Sequence, residues 1–467
     1  MVIRTVGPSS DFPSIAAAML SSGPGDTIQL ESGYSNETAT IRFSGMTIFG
    51  GIGSQGIVLN LAPGIATVTM TGNSPFQLND AADSNGIVGN AGDNRITVTG
   101  GVDAVDGGLG QDRLVVDYRA ATGAVTGDST SNFSEAGGGG RVVTVTSGTI
   151  ENFTILTGSG ADTITTGSGN DYINTAGGAS TVSAGQGRNT IIGGGNSDTV
   201  TALDGGNLVR AGNGANTVTT GGGADRIYVG KGTDTVVAGG GADRIFLTGG
   251  ADSVDAGAGL DRLIIDYSAM TTAVTGGVTS GNMTSGYVGL IADLAGSHVD
   301  FQRAESFDIT TGLGDDTVTT GAGADILRGG LGADLLRSGS AADMLFGGGG
   351  NDVLRGGLGT DLASGGAGAD VFVFGTAEEA RSGSGRDRIL DFLASTDRID
   401  VSGIDADTAN LGNQGFSYIG SAQFSAVAGQ LRFGNGVVSG DVDGDGRADF
   451  EIEIGNQAGL TQGDFIL

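Results

Sequence analysis

Aspartates recur along this chain at nine-residue intervals, each behind a run of glycines. Segment 329–337 reads GGLGADLLR, and the same order returns as GGGGNDVLR at 347–355 and GGAGADVFV at 365–373. Glycines at the first, second and fourth positions of such a unit permit positive φ and close backbone approach. A turn that tight aims carbonyl oxygens at one point, and the aspartate at the sixth position adds a carboxylate there. A donor set made only of hard oxygens suits Ca²⁺, which takes about six to eight of them, whereas Mg²⁺ demands stricter octahedral geometry and retains water.

The side-chain donors selected this way are Asp112, Asp162, Asp171, Asp198, Asp225, Asp234, Asp243, Asp252, Asp261, Asp316, Asp325, Asp334, Asp343, Asp352, Asp361 and Asp370. The carbonyls of Gly221, Gly223, Gly239, Gly241, Gly329, Gly347, Gly349, Gly356 and Gly365 are the accompanying backbone donors. Four neighbouring units carry Ser180, Asn189, Asn207 and Asn216 at the sixth position. Asn189, Asn207 and Asn216 offer a neutral oxygen and Ser180 a poor one, so weaker or empty sites are expected across roughly 175–219, because affinity falls with ligand charge.

The elements that hold these residues follow from the rest of the template, G-G-x-G-x-D-x-U-x, where U is a bulky aliphatic residue. The x-U-x triplet has room for one short strand, and a period of two turns U inward while its neighbours face out. Ile164, Ile173, Val200, Ile227, Val236, Ile245, Val254 and Leu263 are the predicted inward residues. Two units complete one turn of a coil, so each unit stacks on the next but one. Asp225 is then expected to stack with Asp243, and Asp334 with Asp352. Without cations such columns repel; with cations they become a ladder of ligands.

Twelve units keep one frame from Thr157 to Ile264 and seven more from Thr311 to Val373. A further copy, GGLGQDRLV, lies at 107–115, and a poorer one at 89–97 has Asn94 in the aspartate place. Two interruptions match each other: DRLVVDYRAATGAV (112–125) parallels DRLIIDYSAMTTAV (261–274), and the returns ENFTILTGSGADTITTG (151–167) and ESFDITTGLGDDTVTTG (305–321) also correspond. All five prolines fall in the first 75 residues, marking a distinct start, with a short helix at 15–20 that has Pro13 in its first turn. Strand-like runs follow at 26–30, 40–43 and 65–71. The expected organisation is an N-terminal β-helix-like region (1–88), first partial repeats and excursion (89–156), a roll block (157–264), an excursion (265–310), a second roll block (311–373) and a C-terminal β-rich domain (374–467). The fold class is all-β, a parallel β-roll or β-helix in two blocks.

The 467 residues carry 52 acidic and 22 basic side chains, a net charge of −30. A compact state with that charge repels itself and calls for counter-cations. The lack of basic stripes argues against nucleic acid, and no apolar run approaches the roughly 18 residues of a membrane span. Cysteine is absent, so disulfides and thiolate sites are excluded and metal is the remaining staple. The single histidine, His298, stands without an H-E-x-x-H or G-x-S-x-G motif. Asp80 and Asp83 lie in a polar stretch where such residues are usually turn formers, with glycan chemistry as the alternative.

The repeats resemble those of the RTX (repeats-in-toxin) proteins, whose nonapeptide forms a Ca²⁺-binding β-helix. The opening of the chain resembles the cap of pectin-lyase-like β-helices. The segments DRILDF (387–392), DRIDV (397–401) and GDVDGDGRADFEIEI (440–454), with the ending Asp464–Phe465–Ile466–Leu467, resemble the C-terminal domain and uncleaved signal of serralysin-like, type I-secreted proteins. The resemblance implies several bound Ca²⁺, a type I secretion apparatus as partner and an extracellular or cell-surface location. It leaves the extracellular task open between a structural, surface-layer, matrix or adhesion component, with a glycan or cell surface as contact, and a polysaccharide lyase or epimerase with an N-terminal β-helix head. DVDGDG (441–446) also resembles an EF-hand start, but Ile452 stands where its glutamate belongs. A non-helical Ca²⁺ loop of Asp441, Asp443 and Asp445 and a solvated acidic turn are the other readings.

Overall fold

The computed structural model describes residues 1–467 except Gly138, Asn456 and Ala458. It divides into two compact units, Met1–Val229 and Gly230–Leu467.

In the first unit, outside one interruption, short strands alternate between two sheets and pair in parallel with a later strand of their own sheet rather than with their sequence neighbour. Thr163–Thr165 pairs with Thr181–Ser183, which pairs with Thr199–Ala202. Tyr172–Asn174 pairs with Thr190–Gly194 in the facing sheet. The partners stand 18 residues apart, two nonapeptides per turn, as in Thr163 opposite Thr181. Nearer the start the coil persists while its period varies: Thr27 faces Thr47, Met46 faces Val68 and Ile57 faces Phe76. Turns there lack the repeated glycine–aspartate chemistry, so their lengths are free while the strands still stack. The opening helix spans Ile15–Met19, and Ser14 is its cap, accepting the Ala17 N–H. Pro13 therefore precedes the helix instead of occupying its first turn, because the Ser14 hydroxyl supplies the acceptor the first turn needs.

The second unit repeats the plan. Ile326–Leu331 pairs with Met344–Gly349, and that strand with Leu362–Ala367. Leu335–Ser340 pairs with Val353–Leu358 in the other sheet. The coil continues past Val373: Asp387–Ile389 is added to Leu362–Ala367, and Arg398–Asp400 to Val371–Val373. Phe450–Ile454 and Phe465–Ile466 close the two sheets on those strands. An antiparallel hairpin from Gln430–Gly434 and Val437–Asp441 packs beside them.

Each interruption is a three-stranded antiparallel meander that stays within one sheet. In the first unit it comprises Val125–Asp128, Asn132–Glu135 and Val142–Val145. Its last strand lies on Val102–Asp106 and its first receives Thr163–Thr165. In the second unit Val274–Asn282, Gly286–Asp293 and His298–Ala304 do the same between Ala251–Asp255 and Thr317–Thr319. The duplication seen in the sequence is thus a repeated splice that lets the coil resume its register.

In each unit the core is a narrow column between that unit's strands. Ile164, Ile173, Val200, Ile227, Val236, Ile245, Val254 and Leu263 are all buried, as the period-two reading expects. The first position of a unit also points inward. It is filled by Ala184, Ala202, Ala211, Ala238, Leu247 and Ala256, all buried, and by glycine at 329, 347, 356 and 365. Toward the end of the second unit the core holds an aromatic cluster, with Phe372 against Phe392 and Phe416 edge-on to Phe450.

Candidate metal centres

Every repeat aspartate points into its turn and is almost inaccessible to solvent. Stacking explains the orientation. One carboxylate oxygen, Oδ1, accepts the backbone N–H of the sixth residue one coil turn earlier. In the second unit Asp316 donates to Asp334 at 2.8 Å, Asp334 to Asp352 at 2.8 Å and Asp352 to Asp370 at 2.9 Å. On the facing side Asp325 donates to Asp343 and Asp343 to Asp361 at 2.8 and 2.9 Å. Asp234 and Asp243 donate in the same way to Asp252 and Asp261. In the first unit Asn94 donates to Asp112, Val125 to Asp162, Phe153 to Asp171, Ser180 to Asp198 and Asn207 to Asp225. Asn189, Asn207 and Asn216 occupy rungs of the same ladders through Oδ1, and the Ser180 hydroxyl takes one from Asp162.

The second oxygen, Oδ2, is the chemically telling atom. For Asp112, Asp198, Asp252, Asp261, Asp334, Asp352, Asp361 and Asp370 it is buried without a hydrogen-bond donor. Leaving an anionic oxygen dry and unpaired is costly. The room beside it is made by glycine. A methyl group on Gly329 would lie 2.0 Å from Asp334 Oδ2 and 2.7 Å from the Gly347 carbonyl oxygen. On Gly347 it would lie 2.2 Å from Asp352 Oδ2 and 2.6 Å from the Gly365 oxygen, and Gly356 and Gly365 stand equally close to Asp361 and Asp370. Carboxylate and carbonyl oxygens thus converge with no donor among them, an arrangement that a cation completes. The donor set fits Ca²⁺, which would supply the missing positive charge.

The candidate carbonyls differ among themselves. Those of Gly347 and Gly365 adjoin the unpaired carboxylate oxygens. Those of Gly329 and Gly356 accept hydroxyls from Thr311 and Ser338, and those of Gly239 and Gly349 accept backbone N–H groups from Ala258 and Gly332. Gly221, Gly223 and Gly241 lie in the turns that lead to Asp225 and Asp243. Asp162 departs from the pattern: the Thr157 hydroxyl donates to its Oδ2.

Burial is the main cause that lifts the carboxyl pKa values. Asp343 is pushed up to about 8, with Asp325 and Asp361 adding like charge. Asp334 rises to about 7, raised also by Asp316 and Asp352. Asp352 and Asp361 rise to about 6. Without a cation these groups hold their protons to higher pH than ordinary carboxylates do, and a bound cation displaces them.

Five further acids belong to the ladders. Asp103 accepts from Asn85 at 2.9 Å with its other oxygen buried and unpaired. Its segment VTGGVDAVD (98–106) is in frame with the copies on either side, so the signal was present in the sequence. Glu151 accepts from Asp112, and Glu305 from Asp261, at 2.7 and 2.8 Å. They are the first residues of the two matching returns, where a side chain one methylene longer reaches the rung. Asp387 and Asp397 accept from Asp361 and Asp370. They keep the D-R-I of a unit but have lost its glycine turn.

The acidic loop at 441–449 differs from expectation. Among the described residues Asp441, Asp443 and Asp449 bring carboxylate oxygens within 4.8 Å of one another, and Asp445 is not among them. Positive φ at Gly444 and Gly446 swings Asp445 outward, where it caps the Arg447 N–H, and Asp449 returns at the start of the next strand. The flanks are strands, which rules out an EF-hand. Asp441 already accepts the Gly444 and Gly446 N–H groups. His298 is a partly exposed residue 3.8 Å from Asp300. Asp80 and Asp83 act as backbone acceptors, for Thr99 and Gly64. Among the described residues no helix is long and apolar enough to cross a membrane.

A family model described as the RTX calcium-binding nonapeptide repeat matches residues 82–114, 154–182, 175–209, 201–236, 228–263, 308–336 and 337–372. The first match includes Asp103. No curated protein matches the chain.

Proposed function

Because the chain is built on RTX calcium-binding repeats, which bind multiple Ca²⁺, we infer that it is an exported protein whose folding waits for extracellular Ca²⁺ and which then serves as a structural, surface-layer, matrix or adhesion component. The observation that carries this reading is the set of buried carboxylates with an unpaired oxygen at Asp112, Asp198, Asp252, Asp261, Asp334, Asp352, Asp361 and Asp370. Where Ca²⁺ is scarce those acids oppose folding. Where Ca²⁺ is at about 100 times its Kd, one site contributes about 2.7 kcal/mol, so a few sites rival the roughly 5–15 kcal/mol of a whole domain. The sites share rungs, so the sum is an upper bound.

The C-terminal end fits the same logic. Phe465 pairs with Ile399 and is buried, and Asp464 is buried beneath the Thr461 cap. In the folded state Asp464 and Phe465 of the ending that resembles a type I signal are buried, so the export apparatus would read it on the unfolded chain. The structural role is favoured over sugar chemistry because Asp80 and Asp83 are engaged as turn acceptors.

Circular dichroism of the purified chain during Ca²⁺ titration tests the folding claim. Cooperative gain of β-signal, reversed by chelator, is expected; a full β-signal in chelator refutes it. Removal of Asp464–Leu467 is expected to stop export through a type I apparatus, and unchanged export contradicts that part of the reading.

A further inference from the structure

The asparagine turns contain a donor that the aspartate turns lack. Asn207 Nδ2 donates to the Leu203 and Gly205 carbonyl oxygens, both at 2.9 Å. Asn216 Nδ2 donates to Gly212 and Gly214, both at 3.1 Å. Asn189 Nδ2 donates to Gly185 and Gly187 at 3.3 and 3.2 Å. Each time the acceptors are the second and fourth residues of the asparagine's own unit, the carbonyls of its glycine turn. Asn94 repeats the theme with Gly92 at 2.7 Å and Gly107 at 3.3 Å.

The orientation of these amides is fixed by chemistry. Oδ1 must accept a stacked N–H, as Asn189 does from Asp171 and Asn207 from Asn189, at 3.0 and 3.1 Å. Only the NH₂ end can then face the carbonyls. The carboxamide hydrogens therefore stand where, beside an aspartate, all groups are acceptors. The first position does not set this difference: it is alanine at Ala184, Ala202 and Ala211 but glycine at Gly89 before Asn94, and alanine also opens the aspartate turns at Ala238 and Ala256.

We propose that the turns at Asn94, Asn189, Asn207 and Asn216 are sealed by their own carboxamides and take no Ca²⁺, so that the sixth residue selects, turn by turn, between a cation-held and a self-held coil. This rests on the calcium reading above and sharpens it, since asparagine acts here as a stand-in for the cation and not as a weak ligand. Between Asn189 and Asn207 two successive rungs of one ladder are of this kind. The coil there keeps its turn carbonyls satisfied at any Ca²⁺ concentration.

The test is the number of Ca²⁺ bound by the full chain, counted by native mass spectrometry at saturating Ca²⁺. Asn189→Asp, Asn207→Asp and Asn216→Asp, combined, are expected to raise the count above that of the unsubstituted chain. The reverse change, Asp352→Asn, covers the case in which the combined variant fails to fold, and it is expected to lower the count while the β-signal in Ca²⁺ is retained. Unsubstituted chain that binds Ca²⁺, with counts unmoved by the exchanges in both directions, overturns the proposal alone. Unsubstituted chain that binds no Ca²⁺ overturns the calcium reading and this proposal with it.

Discussion

Residues 185–218 of the first unit and 329–373 of the second are the same coil by pattern, with an 18-residue register and one inward aliphatic per strand. They differ in how a turn is closed. In the first, Asn189, Asn207 and Asn216 each give two hydrogens to the turn carbonyls, and Asp198 between them leaves an oxygen bare. In the second, Asp334, Asp352, Asp361 and Asp370 give none and leave an oxygen bare. One atom exchanged, nitrogen for oxygen, converts a satisfied turn into one that needs a positive ion. The lesson is that a repeat array can hold its geometry constant while its dependence on metal changes from turn to turn.

The contrast breaks most sharply at the glycine beside the carboxylate. Gly347→Ala places a methyl 2.2 Å from Asp352 Oδ2, a distance that cannot stand. Overpacking of this kind costs about 1–3 kcal/mol, and here it also distorts two candidate ligands. The expectation is a clear fall in melting temperature measured in Ca²⁺ and a weaker midpoint in Ca²⁺ titration. An unchanged midpoint would mean that the first position does not border the ion.

A gentler way to sharpen the comparison is pH in the absence of metal. The aspartates of the second region have folded pKa values raised by burial, from about 6 for Asp352 to about 8 for Asp343. A raised folded pKa means that the folded state holds protons the unfolded chain releases. That stabilisation is fully present below the ordinary carboxylate range and is lost as pH rises through about 6 to 8. In chelator, β-signal is therefore expected to grow as pH falls from above 8 to below about 4. A signal that falls on acidification contradicts the assignment of burial as the main cause. The asparagine turns do not titrate and contribute nothing to this change.

Much of this was legible in the sequence because phase is a strong signal. The aliphatic at the eighth position and the acid at the sixth recur in one frame, and both face where periodicity places them. The misses have physical causes. At the asparagine units the sequence gives the expectation of weaker or empty sites, but it does not say which end of the amide meets the turn. Glu151 and Glu305 sit outside any repeat and reach the ladder only because a meander returns the chain to register. Asp387 and Asp397 keep their rung after the glycine turn is gone, so a search for the turn passes over them. Asp445 gave way to Asp449 because two glycines reverse the chain between them.

Hydrogen exchange on the intact chain, followed segment by segment in Ca²⁺ and in chelator at pH 8, addresses the difference between the two regions most directly. Chelator is predicted to strip amide protection from 329–373 to a far greater extent than from 185–218. Equal loss in both regions, or protection in 329–373 that survives the chelator, would contradict the account.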